Sequence, residues 1–166
     1  MTLTAHRRDP DLIRSAFARF PSGVVALAAD AGGQPTAMVA SSFTVGVSLD
    51  PPLVLFSVRN ESATWPRLRN RPRIGISLLG ADQAALCRRL AGKDSAARFG
   101  DEPIERTSQG ALFFAGAPLW LDCSVFAEVP AGDHHVVMLE VHELREDHTR
   151  EPLIFHGSGF RRLDAA

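Results

Sequence analysis

Apolar residues recur along this chain in two rhythms, one helical and confined to the start, the other short and strand-like. Asp9 followed by Pro10 reads as a helix cap with proline at the first helical position. Leu12, Ile13, Ala16, Phe17 and Phe20 then fall on one face at helical spacing, and Pro21-Ser22-Gly23 stops the run. Short apolar runs follow over residues 24–29, 36–43, 52–58, 74–79, 119–129, 134–144 and 153–156, each bounded by turn residues such as Asp30-Ala-Gly-Gly and Gly157-Ser-Gly159. Two short helices interrupt them. Ser62 caps one that holds Trp65 and Leu68, with Pro66 tolerated in its first turn, and residues 82–90 form another with Leu86 and Leu90 inward. Residues 45–52 read as a loop that leaves in extended form through Asp50-Pro51-Pro52. Residues 92–116 lack pattern and read as a long surface excursion, a kind of segment that often works as a lid.

Six or seven strands with two or three short helices, not regularly alternating, exclude a parallel βαβ sheet and predict a mainly β, antiparallel barrel. The 166 residues, 45% of them hydrophobic, suit one domain spanning 1–166. A chain of this length buries roughly 70% of its unfolded surface, so it needs neither disulfides nor a structural metal to fold. Cys87 and Cys123 have no CxxC partner and are expected as reduced, half-buried thiols. No apolar run approaches the ~20 residues of a membrane span, and the start of the chain carries no secretory pattern. The expected location is therefore the cytoplasm, with no membrane partner.

The formal net charge of −1 hides an asymmetry. Residues 59–98 hold eight arginines and Lys93 against Glu61, Asp82 and Asp94, which makes this segment +6 and the remainder −7. The block is either a solvated face or a field that draws in a phosphate-bearing small molecule, whose oxygens match arginine forks. Nucleic acid fits less well, because the rest of the chain is acidic and no basic strand is interleaved with aromatics.

The motifs that are missing narrow the chemistry. No GxGxxG, P-loop, HExxH or GxSxG occurs, so a dinucleotide would not be held in the Rossmann manner. Six histidines suggest a metal, but His134 and His135 point to opposite faces of a strand, and His134 and His142 stand ~26 Å apart along one; no metal site is expected. The end of the 36–43 strand is more telling. Ser41 and Ser42 there offer hydroxyls and free backbone N–H groups, which suit either an ordinary turn or a docked phosphate.

Six short motifs in order, Phe20-Pro-Ser-Gly23-Val-Val, Ala40-Ser-Ser-Phe43, Ser48-Leu-Asp-Pro-Pro-Leu53, Asn60-x-Ser62, Gly132-Asp-His134 and Pro152-Leu-Ile-Phe155, resemble the flavin reductase-like family. The resemblance covers residues 11–163. It implies an FMN-binding split barrel, a homodimer with flavin near the subunit interface, and reduction of FMN or FAD by NADH or NADPH for a separate monooxygenase component. Carried over by motif, it implies that Met38, Val39, Ala40, Ser41 and Ser42 line the flavin ring and phosphate. Ser48, Leu49, Asp50 and Pro51 would shape the loop around the ribityl-phosphate, and Ser57 and Asn60 would sit beside the isoalloxazine. His134 would face the nicotinamide, as the catalytic residue. Lys93, Arg98 and Phe99 would close over the cofactor. With no tyrosine in the chain, Phe155, Phe160, Phe99 or Trp65 is left to stack on the dinucleotide.

Hydride transfer between two cofactors asks the protein for orientation rather than a nucleophile, which suits a chain with no triad and no metal cluster. Two other readings stay open: a split barrel that binds flavin without turnover, and a barrel for another anionic ligand such as haem.

Overall fold

The computed structural model describes Ala5, residues 9–92, Asp94 and residues 98–163. Helix α1 (Pro10–Phe17) begins as predicted, with Asp9 Oδ1 accepting from the backbone N–H groups of Asp11 and Leu12 at 3.0 and 3.2 Å. Its apolar stripe is left uncovered: no residue of α1 is buried, and Phe17 and the following Phe20 are 70% and 78% exposed.

The strands that follow are β1 (Ser22–Gly23), β2 (Val25–Asp30), β3 (Pro35–Ala40), β4 (Thr44–Leu49) and β5 (Pro52–Arg59). After the short helix α2 (Trp65–Leu68) come β6 (Ile74–Leu78), α3 (Ala84–Leu90), β7 (Ile104–Arg106) and β8 (Leu112–Phe114). The chain then runs through β9 (Leu119–Ala131), β10 (His134–Glu146), β11 (Ile154–His156) and β12 (Gly159–Arg161). Seven strands form the main sheet in the order β3-β2-β6-β9-β10-β5-β4, and every ladder among the described residues is antiparallel. The mainly β, antiparallel expectation therefore holds.

Three local expectations do not. Residues 45–52 are not a loop, because β4 pairs with β5. The ladder is irregular between Thr44 and Ser48, where Gly46 sits at φ +72°, and that interruption hides the alternation expected of a strand. The 36–43 run stops short, with β3 ending at Ala40 and both serines just beyond it. Residues 92–116 are not all surface, since β7 pairs with β8 and all three residues of β8 are buried. Strands of three residues are too short to show a period of two.

β2 explains its own unbroken apolar run. Val25, Leu27 and Ala29 enter one core cluster with Phe56, Ile76, Val137 and Leu139. Ala26 and Ala28 enter a second with Leu86, Leu90, Leu112, Phe114 and Leu153. β8 presses on β6 so closely that a Cβ on Gly75 would stand 2.2 Å from the Leu112 carbonyl oxygen. The Phe114 N–H donates to Ser77 Oγ at 3.1 Å, and the Phe114 carbonyl accepts from Trp120 Nε1 at 3.0 Å. Both cysteines are free and buried, deeper than the half-buried expectation. Burial pushes the Cys87 thiol up and that of Cys123 up to about 12. No helix among the described residues is long and apolar enough to cross a membrane.

Gly75→Ala should therefore overpack the β6–β8 crossing at a cost of about 1–3 kcal/mol, read as a lower urea midpoint at unchanged slope. An unchanged midpoint would mean that β8 shifts away freely.

Candidate functional site

A cavity of about 520 Å³ opens where the two flanks of the main sheet approach each other. Met38, Val39 and Ala40 of β3, with Ser41 and Ser42 just after it, make one wall; Ser57, Val58 and Arg59 of β5 make the facing wall. Glu61 and Ser62 of the following turn and His134 at the start of β10 complete the lining. The register that pairs His134 with Arg59 brings the histidine to this edge. A volume in this range suits a drug-sized planar ligand. The lining combines apolar side chains with four serine hydroxyls, the Arg59 guanidinium, the Glu61 carboxylate and the His134 imidazole. That donor set fits a planar ring carrying an anionic tail.

β3 and β5 are not neighbours in the sheet order. One hydroxyl joins them: Ser42 Oγ accepts from Ser57 N at 3.0 Å and donates to Ser57 O at 3.1 Å. The turn that carries His134 is fixed in a similar way. Asn60 N donates to Asp133 O at 3.0 Å, and Asn60 Nδ2 donates to Gly132 O at 3.2 Å. His134 Nδ1 lies 2.7 Å from Asp133 Oδ1. With the carboxylate as acceptor, a neutral His134 keeps Nε2 as an acceptor for a ligand. This hydrogen bond holds the Asp133 carboxyl below its usual range.

A second cavity of about 270 Å³ adjoins the first. The two share Val39, Ala40 and Ser41, and the second adds Cys87, Arg88, Phe155 and Phe160. Phe155 meets Phe160 edge-on at 5.8 Å, and the Arg88 guanidinium lies 5.0 Å over the Phe160 ring.

The family model described as Flavin reductase like domain matches residues 17–164. The chain belongs to this family. It is 36% identical over 171 residues to an NADH-dependent flavin reductase from a Rhodococcus species, covering 99% of this chain and 94% of that protein. It is 32% identical to the reductase component of 4-hydroxyphenylacetate 3-monooxygenase from Thermus thermophilus, covering 92% and 96%. Among solved structures, an NADH:FAD oxidoreductase of Streptomyces globisporus in complex with NAD and FAD fragments superposes with a TM-score of 0.88 at 32% identity, covering 99% and 98%. The architecture is the split barrel of the flavin reductases.

Within this flavin reductase-like chain, the residues named from sequence fall into three groups. Met38, Val39, Ala40, Ser41, Ser42, Ser57 and His134 come together in the first cavity, and Phe155 lines the second. Ser48, Leu49, Asp50 and Pro51 lie at the opposite end of β5 from Ser57, and Leu49 is 89% exposed; within one chain they line neither cavity. Asn60 braces the His134 turn. Phe99 is turned inward and stacks on Phe114 at 5.7 Å. Arg98 is bound to three neighbouring groups described below, and Lys93 lies outside the described residues.

Arg59, Glu61 and Ser62 line the cavity without having been singled out as site residues. The signal for Arg59 was its place in the arginine block, which the structure divides. Arg69 pairs with Glu128 at 3.0 Å, Arg73 with Asp122 at 3.7 Å and Arg89 with Glu102, so those three serve the fold. Arg59 and Arg88 remain at the cavities. Among the described residues, no group of three or more His, Cys, Asp or Glu side chains is placed to hold a metal.

Ser42→Ala removes both bonds of the bridging hydroxyl. Stability should fall by about 1 kcal/mol, and the Ser57 amide should exchange with solvent faster, while Ser42→Thr keeps both near the parent values. An unchanged Ser57 exchange rate in the alanine variant would show that the bridge carries no strain of closure.

Proposed function

We propose that this protein is a flavin reductase that passes a hydride from NADH to FMN or FAD and supplies the reduced flavin to a separate monooxygenase. The observation that carries the reading is a cavity whose lining joins apolar β3 side chains to serine hydroxyls, the Arg59 guanidinium and His134. It lies in a chain that superposes almost end to end on an NADH:FAD oxidoreductase complexed with NAD and FAD fragments. When bound, flavin and nicotinamide supply the redox chemistry, and the chain's part is to bind, orient and shield them.

In this reading, Met38, Val39, Ala40 and Val58 form the surface for the flavin ring, and Ser41, Arg59 and Ser62 face its phosphate. His134, with Nδ1 held by Asp133, offers Nε2 to the nicotinamide. The second cavity, with its phenylalanine pair, suits the remaining aromatic part of a dinucleotide. The relatives that name a donor name NADH, and NADH is the donor proposed here. The chain works as one flavin reductase-like unit, in the cytoplasm.

The reading includes a homodimer. Val137 and Leu139 of β10 and Phe56 of β5 face the core, so Val136, Met138 and Leu55 face outward by alternation. Exposed Val129 of β9, paired with Val136, extends this apolar face, which continues to the cavity through Ser57. A second copy would cover it and would bring the Ser48–Pro51 turn of its own chain into the assembly. Light scattering at micromolar protein should give twice the chain mass, and a monomer that keeps full reductase activity would overturn the dimer.

The activity is tested by following NADH absorbance with and without added flavin. Flavin-dependent NADH loss is expected; a yellow protein without turnover, or no flavin binding at all, would overturn the reading. His134→Ala should lower kcat/KM for NADH about tenfold and leave the flavin dissociation constant within about twofold. Equal losses in both would put His134 in the flavin seat instead.

A further inference from the structure

Arg98 was expected to close over a ligand, yet its guanidinium is engaged by the protein itself. Nη1 donates to the Ala37 carbonyl at 2.8 Å and to Thr64 Oγ1 at 3.0 Å. Nε and Nη2 both donate to the Gly92 carbonyl, at 3.2 and 3.1 Å. These partners belong to three separate pieces of chain. Ala37 lies on β3, immediately before Met38 and Val39 of the first cavity. Thr64 immediately precedes α2 and follows Glu61 and Ser62, which complete the lining of that cavity next to the β5 wall. Gly92 follows α3, whose Cys87 and Arg88 line the second cavity.

The backbone of Arg98 is held as well. Arg89 Nε donates to the Arg98 carbonyl at 3.2 Å, and the adjacent Phe99 is stacked on Phe114 in the second core cluster. The side chain thus projects from a fixed base toward two walls that share no strand ladder.

We infer that Arg98 is a positioning residue that sets the separation of the β3 wall and the 61–64 wall, and through it the affinity of the cavity for flavin. Only a planar fork with several N–H groups can serve acceptors on three segments at once; a lysine ammonium is a point charge that cannot span them. Small displacements of a binding wall are costly, because a bound ring needs both sides of its seat in register. The role rests on the flavin reductase reading for its consequence, but not for its geometry.

The test compares Arg98→Ala, Arg98→Lys and the parent protein by flavin titration, steady-state kinetics and amide hydrogen exchange. In Arg98→Ala the flavin dissociation constant should rise at least tenfold, while kcat at saturating flavin stays within about threefold. Exchange at Met38–Ala40 and Glu61–Thr64 should quicken together, with the β9–β10 ladder unchanged. Arg98→Lys should not restore affinity. Guanidinium at about 50 mM, far below denaturing concentrations, should restore much of it in the alanine variant, where the same concentration of sodium chloride does not. Parent-like flavin affinity and parent-like exchange in Arg98→Ala would overturn the inference. So would a uniform rise in exchange across the sheet with no response to guanidinium, which marks a residue needed only for folding. If the parent protein binds no flavin but the two walls still loosen together, the positioning role stands and the flavin reductase reading falls.

Discussion

The architecture turns on a gap that no strand ladder closes. The main sheet curls until β3 and β5 approach each other, yet neither gives the other a backbone hydrogen bond in a ladder. Ser42 spans that gap with a single oxygen, donating to one backbone group of Ser57 and accepting from the other. A hydroxyl is the smallest side chain that can do both. Because the gap is bridged by a side chain and not sealed by a ladder, room is left beside the bridge, and the cavity occupies that room. The Ser42 hydroxyl is the piece that keeps the cavity's two walls together.

Behind the cavity the structure is tightened by contacts that run from core to rim. The bare backbone of Gly75 lets β8 lie directly on β6. β8 then presents Phe114, which is fixed through Ser77 and Trp120 and receives the ring of Phe99. Phe99 carries Arg98 beside it, and Arg98 reaches β3 and the turn before α2. A glycine with no side chain and an arginine with a long one are therefore ends of the same mechanical path. The rings between them, Phe114 and Phe99, pack in the second core cluster, and the buried Ser77 hydroxyl pins Phe114.

Much of this was legible in the residues, and what was not has physical causes. The Asp9-Pro10 start of α1 is a local signal and was met by the local structure. The same helix shows the limit, because periodicity identifies an apolar face without saying what covers it, and within this chain Phe17 and Phe20 are uncovered. β4 was concealed by an irregular edge ladder, and β7 and β8 by their three-residue length. The motif around Ala40-Ser41-Ser42 and the Gly132-Asp133-His134 turn led to one cavity from positions far apart in sequence. Arg59, Glu61 and Ser62 reached it through the pairing of His134 with Arg59, and strand register is not written in any one strand. Arg98 and Phe99 came with the family resemblance, and within this chain Arg98 is held by Ala37, Thr64 and Gly92 while Phe99 stacks on Phe114.

One short segment, Val39-Ala40-Ser41, is a wall of both cavities. In the proposed reading, a wall common to two seats would make their occupants thermodynamic neighbours even where they do not touch. Whatever free energy one occupant spends or gains in shifting that segment is felt by the other, and the factor by which the first alters the affinity of the second equals the factor by which the second alters that of the first. With flavin and nucleotide seated as proposed, the end of β3 would be a balance point, where a shift forced by one occupant would change the hold on the other.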